Sequence, residues 1–183
     1  MQIYYPSLEA MEKLCKALFH EQCRHCQQYH QLISHGFIYK KQSGAESEQP
    51  VGKRVFCLDR NGRTGCGRTM QLYLDSAIRY LHYAGCCVVA FVLALGMGAT
   101  VQQAYEQATR TAEPRNACRW LNRLGGQLSE YRRWLHPPVF APTETASGHP
   151  RRGLLVSTFS ALLAQFGQPL CAGYQRQLQR SLL

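Results

Sequence analysis

Cys23-Arg24-His25-Cys26 and Cys57-Leu58-Asp59-Arg60-Asn61-Gly62-Arg63-Thr64-Gly65-Cys66 are the two segments on which the architecture of the chain turns. The first is a C-x2-C turn, which sets two sulfurs on one metal. The second is C-x8-C, longer than the usual two to four residues, and it carries the turn formers Asn61-Gly62 and Gly65. Two such pairs, each beside turn-forming residues, predict a tetrahedral site with Cys23, Cys26, Cys57 and Cys66 as ligands and Zn2+ as the metal. A closed four-ligand site leaves no position for water, so the expected role is structural. His25, His30 and His35 are the alternative ligands. A redox pair at Cys23/Cys26 and simple buried thiols are the other readings; the first leaves Cys57 and Cys66 without a role, and the polar surroundings disfavour the second.

Around the cysteines, Leu32–Lys40, Lys53–Leu58 and Thr69–Leu74 are rich in aromatic and β-branched residues and read as strands. Gln42–Gly52 is the polar loop between the first two. This is a small antiparallel sheet beside two cysteine turns, a zinc-ribbon organisation too small to stand without a staple. Ser7 caps a helix running to Phe19, with Leu8, Met11, Leu14 or Cys15, and Leu18 as its apolar stripe.

From Asp75 the apolar period changes from two to 3.6. Ala77, Leu81, Ala84, Val88, Phe91 or Val92, and Leu95 line one long expected helix ended by Gly96 and Gly98. Ala84–Ala99 is largely apolar but too short to span a bilayer, so a buried core helix is expected and no membrane partner. Val101, Ala104, Tyr105 and Ala108 follow behind the N-cap Thr100. After a turn at Thr109–Ala112, Pro114 opens a helix that buries Ala117, Trp120, Leu121 and Leu124 and is broken by Gly125-Gly126. Leu128, Tyr131 and Trp134 or Leu135 carry one more. The expected class is α+β: residues 1–75 a helix plus ribbon, 76–136 a helical domain, 137–153 a proline-rich linker, and 154–183 C-terminal helices, the last of them amphipathic and basic.

The 183 residues carry a formal net charge of +10. The excess is spread along all three parts of the chain, so a folded surface is expected to present it, with nucleic acid or an acidic surface as the partner. The helix from Pro114 shows Arg115, Asn116, Arg119, Asn122 and Arg123 opposite its apolar stripe. Arginine and asparagine make bidentate contacts with guanine and adenine edges, so the helix pair reads as a helix-turn-helix. An ordinary hairpin with a solvated basic face is the bland alternative. Lys40, Lys41, Lys53, Arg54, Arg60, Arg63 and Arg68 form a second basic group on the ribbon, suited to DNA backbone contacts.

Catalytic sets are sparse. Asp59 and Asp75 are the only aspartates, and no cluster of carboxylates suits paired magnesium ions. No nucleophile elbow, phosphate-cradling loop or H-E-x-x-H motif is present. The expectation is a non-enzyme. Nine cysteines without an N-terminal signal peptide point to a reduced cytoplasm. Cys15, Cys86, Cys87, Cys118 and Cys171 are expected to be small buried hydrophobes.

The order of parts, with HGFIYKK (35–41), GKRVFC (52–57), GCGRTMQLYL (65–74), GATVQQAYEQA (98–108) and NACRWLNRL (116–124), resembles small DNA-binding proteins encoded by bacterial insertion sequences and other transposons. These pair a zinc ribbon with a helix-turn-helix, and the resemblance covers about Cys23 to Leu135. It implies binding to transposon ends or to the element's own promoter, in the bacterial nucleoid. It carries the zinc ligands onto Cys23, Cys26, Cys57 and Cys66, and the DNA-reading helix onto Arg115–Leu124. A transposase or another mobile-element protein is the implied protein partner, and a homodimer is expected on an inverted-repeat site. The rival readings are a catalytic recombinase or transposase subunit and a zinc-stabilised interaction adaptor. Single-stranded RNA is a further candidate ligand.

Overall fold

Strand β1, Gln2–Tyr5, opens the chain in the computed structural model, which describes residues 2–40, 47–136 and 150–183. Helix α1 (Leu8–Ala17) follows, capped by Ser7 Oγ, which accepts from the Ala10 N–H at 3.1 Å. It ends in a single 3-10 turn, Leu18–His20. Strands β2 (Leu32–Lys40), β3 (Gln49–Cys57) and β4 (Thr69–Leu74) complete a four-stranded sheet in the order β1-β4-β3-β2. The helices are α2 (Gly85–Gly96), α3 (Val101–Thr109), α4 (Pro114–Gly126), α5 (Leu128–Arg133), α6 (Pro150–Phe166) and α7 (Leu170–Leu178). The class is α+β.

The sheet differs from the antiparallel ribbon expected in two respects. β1 joins it as an edge strand parallel to β4, with Ile3 opposite Leu72. β3 begins at Gln49, inside the stretch expected to be loop, because Val51 buries its side chain and Pro50 pairs with Tyr39. One face packs Ile3, Leu32, Val55, Met70 and Leu72 against Met11 and Leu18 of the N-terminal helical segment, with Cys23 and Cys57 in the same cluster. The other face groups Tyr4, Ile38, Val51 and Tyr73 around Ala77.

The long helix expected from Asp75 starts ten residues later, at Gly85. Between them the chain turns irregularly, with Tyr80 in the left-handed region at φ 61° and Ala77 bridged to Ala84. Ile78 and Leu81 are buried by these turns rather than by a helix face. Gly85 is required where the helix starts: a Cβ there would lie 2.2 Å from Cys171 Sγ. Helix α2 is then buried through Val88, Phe91, Val92 and Leu95, as a core helix should be. Among the described residues no single helix is long and apolar enough to cross a bilayer.

Thr100 caps α3 with a full capping box to Gln103. Arg110 closes α3 in the left-handed conformation, and Pro114 opens α4. The turn between them is fastened by hydroxyls. Thr109 Oγ1 donates to the Tyr105 carbonyl at 2.8 Å and meets Thr111 Oγ1 at 2.9 Å, Thr111 Oγ1 meets Tyr83 Oη at 3.1 Å, and Tyr105 Oη donates to Tyr83 Oη at 3.3 Å. Trp120 of α4 is gripped edge-on by Tyr83, Phe91 and Tyr105, with ring centroids 5.0–5.6 Å away. Helix α4 takes in Gly125-Gly126 and ends there, with Gln127 alone separating it from α5, so the expected break falls at the C-terminal edge of the glycine pair. Packing of Leu124 in the core outweighs their weak helix propensity.

Residues 137–149 of the expected linker lie outside the described residues. Helix α6 begins at Pro150, within that expected linker. Helices α6 and α7 join α2–α5 in one apolar cluster, which runs from Ile78 to Leu182. Helix α7 is largely buried rather than amphipathic and stops at Leu178. Its two cations are paired, Arg176 with Asp75 at 3.8 Å and Arg180 (just beyond the helix) with Glu130. Among the other cysteines, Cys171 is buried, whereas Cys86 and Cys118 are exposed against expectation, since both fall on the outward sides of their helices.

Candidate functional site

The four cysteines meet. Their Sγ atoms all lie within 4.8 Å of one another, with Cys23–Cys66 at 3.8 Å and Cys26–Cys57 at 3.7 Å. Such a cluster is able to hold a metal ion. The chain reaches this geometry through two local turns. In the first, the Gln27 N–H donates to the Cys23 carbonyl at 2.8 Å and the Cys23 N–H donates to the Gln28 carbonyl at 2.9 Å, with Gln27 left-handed at φ 61°. The second explains the wide C-x8-C spacing. The Gly65 N–H donates to the Leu58 carbonyl at 2.9 Å and the Gly67 N–H to the Cys57 carbonyl at 3.0 Å, so the intervening loop leaves and returns to one point. Gly65 is required there, because a Cβ would sit 2.2 Å from Leu58 O and 2.8 Å from Cys57 Sγ.

Main-chain N–H groups point at the sulfurs, His25 to Cys23 Sγ at 3.5 Å and Cys66 to Cys57 Sγ at 3.3 Å. Burial alone would raise the Cys23 thiol, but donation from the Cys26 and His25 N–H groups and the Cys57 and Cys26 thiols brings it down to about 7. Cys57 goes the other way, pushed up to about 12 by burial, against the Cys66 N–H and reinforced by the neighbouring thiols. Four sulfurs packed this closely accept one negative charge readily and resist the next. A cation at their centre removes that resistance.

The three histidines stand apart from the cluster. His30 Nδ1 lies 2.6 Å from the Phe19 carbonyl, which sets its N–H, His25 Nδ1 faces Arg68 at 3.4 Å, and His35 stacks near Phe56.

The basic residues of the sheet divide. Lys40 donates to the Ile78 carbonyl and, at 3.1 Å, to the Leu81 carbonyl, and burial lowers its pKa. Lys53 lies over the Phe37 ring at 4.4 Å and pairs with Glu12 at 3.7 Å. Arg63 donates to the His30 carbonyl at 2.7 Å, and Arg60 pairs with Asp59 at 3.9 Å. Arg54 and Arg68 are exposed. Lys41 lies outside the described residues.

Helix α4 turns Ala117, Trp120 and Leu124 inward and leaves Arg115, Arg119, Asn122 and Arg123 exposed. Asn116 is half-buried, its amide donating to the Glu113 carboxylate, and Arg119 Nη1 lies 3.5 Å from Asn116 Oδ1. No carboxylate pairs with Arg115, Arg119 or Arg123 among the described residues. The chain before α2 also reaches this helix. Tyr80, His82 and Tyr83 join Asn116, Arg119 and Arg123 around a cleft of about 260 Å³. Reading residues 75–84 as helix hid this meeting, and the local sequence holds no signal for the left-handed turn at Tyr80.

No protein-family model matches the chain, and neither a curated protein nor a solved structure does.

Proposed function

We propose that the chain is a non-enzymatic DNA-binding protein of a mobile genetic element, in which a zinc ion staples the sheet and α3–α4 act as a helix-turn-helix. The observation that carries this reading is the α4 face: three exposed arginines and Asn122, unpaired by any described carboxylate, opposite a stripe locked by Trp120. That is the chemistry for phosphate neutralisation and for base edges in a major groove. Arg54 and Arg68 on the sheet add exposed positive charge.

The donor set supports zinc. Four thiolates at about 2.3 Å from a tetrahedral ion stand about 3.8 Å apart; two of the pairs here are 3.7 and 3.8 Å, and all lie within 4.8 Å. Four sulfur ligands close the shell, so the ion's contribution is to folding.

The test is a binding-site selection with the full chain, followed by Arg119→Ala and Arg123→Ala. The reading expects an enriched duplex, with each substitution weakening it about tenfold and relaxing its sequence preference. Selection that enriches no duplex, or variants that bind like wild type, would sink it. Incubation with divalent metal and the enriched DNA should yield no cleavage or strand joining. Cleavage would make the chain a recombinase component.

A further inference from the structure

Tyr80 is the most conspicuous residue that the DNA reading leaves without a task. The residue is 75% exposed, and its backbone sits at φ 61°, where a bulky residue is strained. That conformation turns the ring outward beside α4. The Arg79 guanidinium lies over it, 4.2 Å from the centroid. Arg79 is itself braced by Gln2. With the Gln2 amide nitrogen turned to Tyr4 Oη, its oxygen accepts from Arg79 Nη1 at 2.7 Å and Nε at 3.2 Å. The platform is therefore fixed before anything binds.

The cleft next to Tyr80 has the remaining parts. Its floor is Tyr83, Tyr105 and Trp120, held rigid by their edge-on contacts. Asn116, Arg119 and Arg123 bring an amide and two guanidinium groups to its wall. No acidic side chain lines it, although Glu113 holds Asn116 from outside. A volume of about 260 Å³, open to solvent, suits one planar base with its phosphate at the rim.

We infer that this cleft takes an unpaired nucleotide of bound DNA, its base stacked on Tyr80 and its phosphate met by Arg119 and Arg123. The inference rests on the DNA reading above and deepens it: the substrate would be a duplex with a frayed or single-stranded end, not an uninterrupted helix. Aromatic stacking tolerates any base, so the cleft would add affinity for DNA ends without adding sequence preference.

The experiment compares a blunt duplex with the same duplex carrying a short single-stranded overhang that contains 2-aminopurine. Wild type should bind the overhang form about tenfold tighter and quench its fluorescence, given the usual worth of one stacked base. Tyr80→Phe should keep both effects. Tyr80→Gly, which accepts the left-handed backbone, should lose both while binding the blunt duplex as before. Equal affinity of wild type for the two duplexes would overturn the inference, as would an overhang preference that survives in Tyr80→Gly. Failure of every duplex to bind would instead strike the DNA reading itself. If wild type favoured a free RNA strand and ignored both duplexes, the assignment to DNA would fall.

Discussion

Gly65 sits where a side chain has no room, between the Leu58 carbonyl and Cys57 Sγ. Gly65→Ala must therefore open the second cysteine turn. The expected loss is about 1–3 kcal/mol of stability, with weaker metal retention, read by thermal melting and by metal content of the purified variant. Asp75 offers a different residue-scale test. Burial raises its carboxyl above the ordinary range, partly opposed by Arg176, so the ionised form is a cost to the fold. With the folded value above the unfolded one, its favourable contribution exists in acid and is lost as pH rises through the folded pKa. Asp75→Asn should melt higher than wild type at neutral pH, and the gap should close below the ordinary aspartate pKa. A gap independent of pH would show that the carboxyl is not the cause.

At the scale of elements, two glutamines, one in α7 and one capping it, tie the C-terminal segment to the β4–α2 connection and to β1. Gln175 is fully buried, and its amide donates to the Asp75 carbonyl at 2.7 Å and the Ala77 carbonyl at 3.0 Å while its oxygen accepts from the Leu182 N–H at 3.0 Å. Gln179 bonds both the N–H and the carbonyl of Tyr4, at 2.8 and 3.1 Å, as a further strand would on the open edge of β1. Gln175→Leu keeps the volume, strips the Ala77 carbonyl and the Leu182 N–H of this partner and leaves the Asp75 carbonyl only the Cys171 thiol at 3.7 Å, so it should cost about 3 kcal/mol or more in denaturant unfolding. Little or no cost would mean that the amide is not a structural hub. These ties were not legible in the sequence, since a polar residue in a helix gives no sign that it will be buried. β2 and β4 were legible to the residue, because alternation and flanking turns bound them. β1 was not: four terminal residues pairing in parallel with β4 carry no local signal. The stretch 75–84 misled because Ala77, Leu81 and Ala84 fall at helical spacing while the chain buries Ala77 and Leu81 by turns. The cysteine cluster was legible from ligand spacing alone, and the long second loop became intelligible only once Leu58 and Gly65 were seen to close it.

For the molecule as a whole, two cores meet at β1 and the β4–α2 connection. One is the sheet with its four thiols, and the other is the helical cluster from Ile78 to Leu182. On the proposed reading a metal at the four thiols staples the smaller core of the sheet, so chelation at neutral pH should raise amide exchange in β2 and β3 well before α2 and α6. Simultaneous loss of protection everywhere would show one cooperative unit. The charge also belongs to this scale: of the +10 on the chain, Arg54, Arg68, Arg115, Arg119 and Arg123 are exposed and have no acidic partner among the described residues. If these five meet about five phosphates, the logarithm of affinity should fall with that of salt at a slope of about −4 to −5. The most direct measurement is a fluorescence-anisotropy titration of the zinc-loaded full chain on duplex DNA across that salt range. The expected result is an affinity loss of two to three orders of magnitude between about 50 and 200 mM salt. Absence of binding at the lowest salt, or an affinity that salt does not change, would contradict it.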